Sequence, residues 1–235
     1  MRRSGATPTA VRYTLIPTPL GRLYVAYRGD AVCRATVAAS DRAFERGCVR
    51  WLGVRPSRDD RLAGNLSGRV RDHLTGRRPF SGAFDLSDLT PFQRLVLKKT
   101  LEIPAGEVRS YRWVAKEIGA GRAVRAVGTA LANNPIPVLI PCHRVVRADG
   151  RIGYYSGCGQ TMKGRLLEVE GVDLQRLARL AVKRIRFVGS DATSVFCLPT
   201  CWRVRRIGAS RVISFPSSRH AARRGFQPCP TCRPV

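Results

Sequence analysis

Acidic residues are scarce in this chain: sixteen Asp and Glu stand against forty-two Lys and Arg over 235 residues, a formal net charge of +26. A surplus of that size is costly in self-repulsion unless the partner is polyanionic, which directs attention to nucleic acid. Arginine-heavy usage set by genome composition is the alternative, and charge alone does not choose between them. Also missing is any run of eighteen apolar residues, so no membrane-spanning helix is expected. The start, Met1-Arg2-Arg3-Ser4-Gly5, leads into polar residues and Pro where a signal peptide would have its apolar core, and the expected location is the cytoplasm. In that compartment the eight cysteines read as nucleophiles or metal ligands and not as a disulfide framework. Histidine is rare, three in all, and His73 has no second His or Cys at ligand spacing, so it is expected to be an ordinary, partly buried residue. What is present, 44% apolar residues, suffices to bury a real core in one large or two to three small domains.

The first part of the chain reads as strands. Tyr13 to Ile16 and Leu23 to Tyr27 flank a turn at Pro17 to Gly21, and a third strand is predicted around Cys33 to Val37. Cys33, strand-like, and Cys48, loop-like, are expected to be packing residues. Between Asp60 and Leu74 the apolar residues Leu62, Leu66, Val70 and Leu74 recur at fourfold spacing and predict a surface helix with one buried stripe. From Thr90 onward the pattern is helical. Thr90-Pro91 is a capped start whose helix should bury Phe92, Leu95, Val96 and Leu101. Two more helices, Ser110 to Ile118 and Arg122 to Ala132, are separated by Gly119-Ala120-Gly121, a spacing that suggests helix-turn-helix. On the latter, Val124, Val127 and Leu131 share the packing side; Arg122, Arg125 and Thr129 lie opposite, flanked by Ala123, Ala126 and Ala130.

A thiol and an imidazole then meet in Asn134-Pro135-Ile136-Pro137-Val138-Leu139-Ile140-Pro141-Cys142-His143-Arg144-Val145-Val146. The three prolines exclude a helix and predict a rigid extended loop that fixes the thiol. A cysteine of ordinary pKa is mostly thiol at neutral pH, and only thiolate is a strong nucleophile, so Cys142 needs a base and His143 is the adjacent candidate. Beyond an amphipathic basic stretch, Asp173 to Ile185, residues 183 to 235 hold eleven Lys and Arg against one acidic residue, Asp191. Here Cys197, Cys201, Cys229 and Cys232 form C-x3-C, a gap of 27, and C-x2-C. That spacing fits a tetrahedral zinc site, which would stabilise a module too small to rely on its core.

Pro141-Cys142-His143-Arg144-Val145 resembles the active-site signature of the O6-alkylguanine-DNA alkyltransferases. The likeness continues in Pro91-Phe92-Gln93, Ile103 to Glu107, Ser110-Tyr111, Arg125 to Gly128, Gly153 to Gly157 and Leu166 to Gly171. It implies an α+β fold: a small ribonuclease H-like N-terminal α/β subdomain (1–85), a helix-turn-helix-containing alkyltransferase subdomain (86–172), a linker (173–185) and a small zinc-bound module (186–235). It implies direct transfer of the alkyl group from O6-alkylguanine, and O4-alkylthymine, in double-stranded DNA to Cys142 as acceptor. His143 would act through a bridging water, Glu170 would orient its ring, and Asn134 would brace the loop. Tyr111 would crowd the target phosphate and donate to the base. Arg125 would fill the stack when the base is extruded, backbone groups at Cys142, Val145 and Ser156 would read its edges, and Lys163 would lie near the site. The protein would work once, as a monomer associated with the nucleoid, and without an organic cofactor. Phe196 to Cys201 and Gly225 to Pro234 resemble the Ada-type zinc domain, in which the first cysteine, here Cys197, also takes a methyl group from a DNA methylphosphotriester.

Departures are visible too. Cys158 replaces a glycine of the family and one residue is inserted before Lys163. Leu198 stands where the Ada-type domain has arginine, Ser194-Val195 replaces its Gly-Ile, and the zinc module follows the alkyltransferase instead of preceding it. Two other readings remain: a non-catalytic lesion-binding protein, against which Cys142 argues, and an Ada-like zinc-dependent transcription regulator, against which the lack of a regulator-type helix-turn-helix argues.

Overall fold

A computed structural model describes residues 10–153 and 159–235, and these form two compact units. No helix among the described residues is long and apolar enough to cross a membrane.

The first unit comprises the chain to Thr90 together with Asn134–Ile140. Strands β1 (Val11–Thr18), β2 (Gly21–Arg28) and β3 (Ala31–Val37) make an antiparallel meander; the first two are longer at both ends than the apolar alternation indicates and the third only at its start. Gly21 closes the β1–β2 turn at φ 112, a backbone angle open to glycine alone. Helix α1 (Asp41–Leu52) has no counterpart in the sequence reading, and Cys48 lies on it and not in a loop. Ser40 caps its start by accepting from Ala43 N–H, and Gly53 ends it in the left-handed region. Phe44 and Cys48, one turn apart, drop into a core of Val11, Tyr13, Tyr24, Ala26 and Cys33, so both cysteines are packing residues. The Phe44 ring centroid is 5.2 Å from that of Tyr13 and 5.1 Å from that of Tyr24. Both hydroxyls donate to Asp41, at 3.1 and 2.8 Å, which lets two buried phenols sit in an apolar core. The short edge strand β4 (Ser57–Arg58) runs parallel to β1.

Helix α2 (Ala63–Leu74) buries Leu66, Val70 and Leu74 at the expected spacing. His73 is more than partly buried, at 5% exposed. Its Nδ1 accepts from Phe80 N–H at 3.1 Å, so Nε2 carries the proton and donates to Val138 O at 3.0 Å. It therefore ties α2 to the loop 134–140. That loop is not extended. Asn134 Nδ2 donates to Ile140 O, Ile136 N–H donates to Asn134 Oδ1, and Ile140 N–H donates to Ile136 O, at 3.0, 3.0 and 2.9 Å. The doubling back needs Val138 at φ 77, a conformation β-branched residues avoid and which the surrounding bonds enforce.

The second unit comprises Pro91–Asn133 and Pro141–Val235. Helix α3 (Pro91–Leu101) begins where Thr90-Pro91 predicts, but its buried side is Val96, Leu97 and Thr100; Leu95 is 53% exposed and Leu101 is also exposed. Strand β5 (Arg109–Ser110) leads into α4 (Tyr111–Glu117), capped by Ser110, and then α5 (Val124–Ala132), the expected helix-turn-helix pair. Strand β6 (Val145–Val146) pairs with β5 in parallel. Helix α6 (Gly159–Val169) and helix α7 (Leu174–Val182) bring Leu167, Leu174 and Leu177 onto Val108, Val146 and Val172. The remainder is a small sheet ordered β10-β8-β7-β9, from β7 (Phe187–Ser190), β8 (Val195–Cys197), β9 (Val212–Phe215) and β10 (Gln227–Pro228), with helix α8 (Ser218–Arg223) between the last two.

Phe44→Ala should lower the unfolding free energy of the first unit by about 3–5 kcal/mol, because it empties a ring-sized volume at the centre of its core. Urea denaturation followed by near-ultraviolet circular dichroism measures this, and a loss below about 1 kcal/mol would contradict the placement of α1.

Candidate active site and metal centre

Cys142, His143 and Arg144 form a single 3-10 turn, with Arg144 N–H donating to Pro141 O at 2.9 Å and Val145 N–H to Cys142 O. Cys142 is 6% exposed and His143 fully buried. His143 Nε2 lies 2.8 Å from Glu170 Oε1. Arg144 donates to the same carboxylate through Nε, at 3.1 and 3.0 Å to its two oxygens, and through Nη2 at 2.8 Å, while Nη1 reaches Ile103 O at 2.5 Å. Burial raises the carboxyl pKa of Glu170, yet donation from His143 and Arg144 outweighs it and leaves the group at about 2. An ionised carboxylate only accepts, so His143 Nε2 carries the proton and Nδ1 presents its lone pair. Among the described residues no protein group bonds to Nδ1. Burial, aided by the charges of Arg144 and Lys163, pushes the imidazole pKa down against the pull of Glu170, so the ring is neutral. The arrangement is a thiol next to a neutral imidazole whose far nitrogen is held by a carboxylate.

Lys163 is wholly buried on α6, donates through Nζ to Val145 O at 2.6 Å, and sits 5.7 Å from the Tyr111 ring centroid. Burial lowers its pKa to about 8, with the nearby Cys142 charge opposing the shift. The residue inserted before it therefore does not expel Lys163 from the site. Tyr111 opens α4 half-buried; burial and then Cys142 raise its pKa, so the phenol keeps its proton. Val145 is buried, its amide bonded to Cys142 O and its carbonyl to Lys163, which leaves the carbonyl one lone pair. Arg125 and Thr129 are exposed on α5, as their angles predict; Arg122 is exposed in the turn before it, since the helix starts at Val124 and not at Arg122, and Ala130 is buried with Val127 and Leu131 and not part of the outer flank. Ser156 lies outside the described residues. Asn134 bonds within its own loop, as given above. The sequence reading assigned no role to Arg144; its place beside Cys142-His143 was the available signal. It also missed the buried pair Glu107–Arg109, joined at 2.6 Å.

Cys197, Cys201, Cys229 and Cys232 are all buried, with their sulfurs within 4.8 Å of one another. Zn–S bonds of about 2.3 Å put tetrahedral sulfurs about 3.8 Å apart, so the cluster fits a zinc ion. Leu198 N–H donates to Cys232 Sγ at 3.3 Å, a bond that suits a thiolate ligand. Val188 and Val204 pack around the sulfurs. Beside them lies a cavity of about 650 Å³ lined by Cys197, Thr193, Trp202, Arg203, Arg206 and Arg211. Trp202 is exposed, and the guanidiniums of Arg203 and Arg206 lie 5.5 and 4.9 Å from its ring centroid.

Comparison with known proteins agrees with both sites. Residues 91–172 match the family described as 6-O-methylguanine DNA methyltransferase, DNA binding domain, and residues 180–235 match the metal binding domain of Ada. The four-cysteine cluster is therefore a structural zinc site. A methylated-DNA-protein-cysteine methyltransferase of Mycobacterium tuberculosis is 35% identical over 163 residues, covering 68% of this chain and 92% of its own. The constitutive enzyme of Bacillus subtilis is 32% identical over 164 residues, covering 68% and 95%. A crystal structure of the Mycobacterium tuberculosis protein in complex with DNA superposes with a TM-score of 0.57 at 32% identity, covering 71% of this chain and 99% of that one. The thiol, the imidazole and the carboxylate thus sit in a chain that belongs to the methylated-DNA-protein-cysteine methyltransferase family and carries an Ada-type metal-binding domain.

Proposed function

We propose that this protein repairs DNA by moving the alkyl group of O6-alkylguanine, and of O4-alkylthymine, irreversibly onto Cys142. The observation that carries this reading is the neutral His143, bonded through Nε2 to an ionised Glu170, in the same turn as the thiol. The Cys142 proton passes to His143 Nδ1, directly or through a water, and Glu170 stabilises the imidazolium so formed. The sulfur then bonds to the alkyl carbon as the carbon–oxygen bond breaks, its electron pair staying on the base. Tyr111, whose phenol keeps its proton beside a charged sulfur, donates to the departing base. Lys163 holds Val145 O, and with it the strand that leaves the turn. Asn134 braces the loop leading into Cys142. The target base has to leave the duplex to reach the sulfur; Arg125, exposed on α5, fills its place in the stack. Ser156 reads the base edge in the same proposal. The product is a thioether without an easy leaving group, so each molecule acts once, as a monomer on duplex DNA.

The zinc domain extends the repair to methylphosphotriesters, with Cys197 as acceptor. Support comes from the cavity at Cys197, whose three arginines and exposed Trp202 suit a DNA phosphate and its neighbouring base. Zinc, when bound, keeps the four sulfurs as thiolates. Methylation removes one negative charge from the site and should strengthen its hold on DNA.

Three outcomes test the reading. Incubation with O6-methylguanine duplex should place one methyl group on the Cys142 peptide by mass spectrometry, and Cys142→Ser should take up none; a methyl group elsewhere, or transfer by the variant, would sink the idea. Arg125→Ala should slow transfer from duplex about tenfold while changing transfer from the free base less than about twofold. Equal slowing on both substrates would remove Arg125 from the stack. On methylphosphotriester DNA, full-length Cys142→Ser should still gain one methyl group, on Cys197; zinc retained with no uptake would leave that cysteine a ligand only.

A further inference from the structure

Residues beside the zinc ligands grip buried groups of the segment that leads into β5 and of α4. Thr200, next to Cys201, accepts from Val108 N–H through Oγ1 at 2.9 Å. Trp202 N–H donates to Glu107 Oε1 at 3.1 Å, and the other oxygen of this buried carboxylate is bonded to Arg109. The carbonyl of Cys232, itself a ligand, accepts from the indole N–H of buried Trp113 at 3.0 Å. Each of these bonds involves backbone or side chain within one residue of a ligand cysteine, so each depends on the shape that the metal imposes on its loop.

The same segments continue to the residues around Cys142. Val108 runs into β5, whose Arg109 pairs with Val145, the residue that ends the Cys142 turn. Gly106 accepts from Arg205 Nη2 at 3.0 Å, and a Cβ placed on Gly106 would come within 2.9 Å of Glu170 O. Glu170 is the residue that holds His143. Trp113 lies on α4, the helix that opens with Tyr111.

We propose that zinc occupancy of the four-cysteine site sets the rate of alkyl transfer at Cys142, with Thr200, Glu107 and Trp113 as positioning residues that carry the metal-imposed loop shape to β5, β6 and α4. The inference rests on Cys142 being the acceptor. With zinc in place the dock holds the strand beneath the thiol in one arrangement. Without it, buried Glu107 and Trp113 lose partners that water cannot replace, and β5 is free to shift. Coupling of this kind is reciprocal for binding, so an intact dock also tightens the metal.

The experiment uses the full chain, zinc-loaded and zinc-depleted by chelation under reducing conditions, together with zinc-loaded Thr200→Val and Thr200→Ser. Four quantities are read: zinc content, the single-turnover rate from free O6-methylguanine, the loss of zinc to a competing chelator, and hydrogen exchange in peptides spanning 106–114 and 142–147. Zinc depletion should slow transfer about fivefold or more and raise exchange in both peptides. Thr200→Val should do the same with zinc still bound and should release zinc faster, whereas Thr200→Ser, which keeps the hydroxyl, should behave as the unaltered protein. Use of the free base removes DNA binding by the zinc domain from the comparison. Unchanged rate and exchange in Thr200→Val overturn the inference even if depletion unfolds the module. Should the zinc-loaded protein leave Cys142 unmodified, the functional reading falls, and unchanged exchange on depletion would separately overturn the dock.

Discussion

Taking a carboxylate out of water costs several kcal/mol unless charged donors replace the water, and Glu170 is surrounded accordingly. Arg144 supplies a forked guanidinium and His143 a ring N–H, both from the turn that begins with Cys142. The same Arg144 reaches Ile103 O beyond the end of α3, so one buried charge joins the segment after α6, the segment after α3 and the active-site turn. Arg144 also acts on the base it neighbours: its charge helps to keep the imidazole neutral while the carboxylate keeps Nε2 protonated. The thiol, the imidazole and the carboxylate that holds the ring are thereby positioned by a single electrostatic requirement.

That requirement explains what could be read in advance. Cys142 and His143 are adjacent, so their partnership was legible locally. Glu170 lies 27 positions from His143, and only the resemblance to a family pointed to it. Arg144 went unassigned because a basic residue in so basic a chain carries little information until its partner is known. Helix α1 escaped because its buried stripe is only Phe44 and Cys48, set among arginines and Gly47, too thin a signal for a helical period. Leu95 misled for the opposite reason: it is apolar at helical spacing, but the packing side of α3 runs through Val96, Leu97 and Thr100, and a threonine that bonds back to Val96 O does not look like a core residue in sequence. Proline content correctly excluded a helix from 134–140, yet it could not foresee the bonds of Asn134 and His73 that fold the loop back.

The zinc cysteines were legible from spacing alone, whereas the attachment of their module was not. Attachment depends on Glu107, Trp113, Thr200 and the Cys232 carbonyl, groups whose ordinary reading is core or loop. Three backbone groups take part, Val108 N–H, Trp202 N–H and the Cys232 carbonyl, which no side-chain pattern reveals. Glu107 repeats the logic of Glu170: a buried acid with one arginine partner and one further donor, holding two segments together.

The scarcity of acidic residues acquires a structural meaning from these pairs. Asp41, Glu45, Asp59, Asp60, Asp85, Asp88, Glu102, Glu107, Glu117, Asp149, Glu170 and Asp173 all take part in ion pairs. An acid engaged by one particular arginine contributes little to screening the others. Among the described residues no acidic side chain pairs with Arg122 just before α5 or with Arg125 on it, nor with Arg203, Arg206 or Arg211 around the Cys197 cavity. Part of the positive surplus is thus left uncompensated around α5 and around the Cys197 cavity, and unpaired charge of one sign repels itself. Only Glu107 and Glu170 among these acids have buried side chains, and each is matched by an arginine that is buried with it, so the surplus does not reach the interior as unpaired charge.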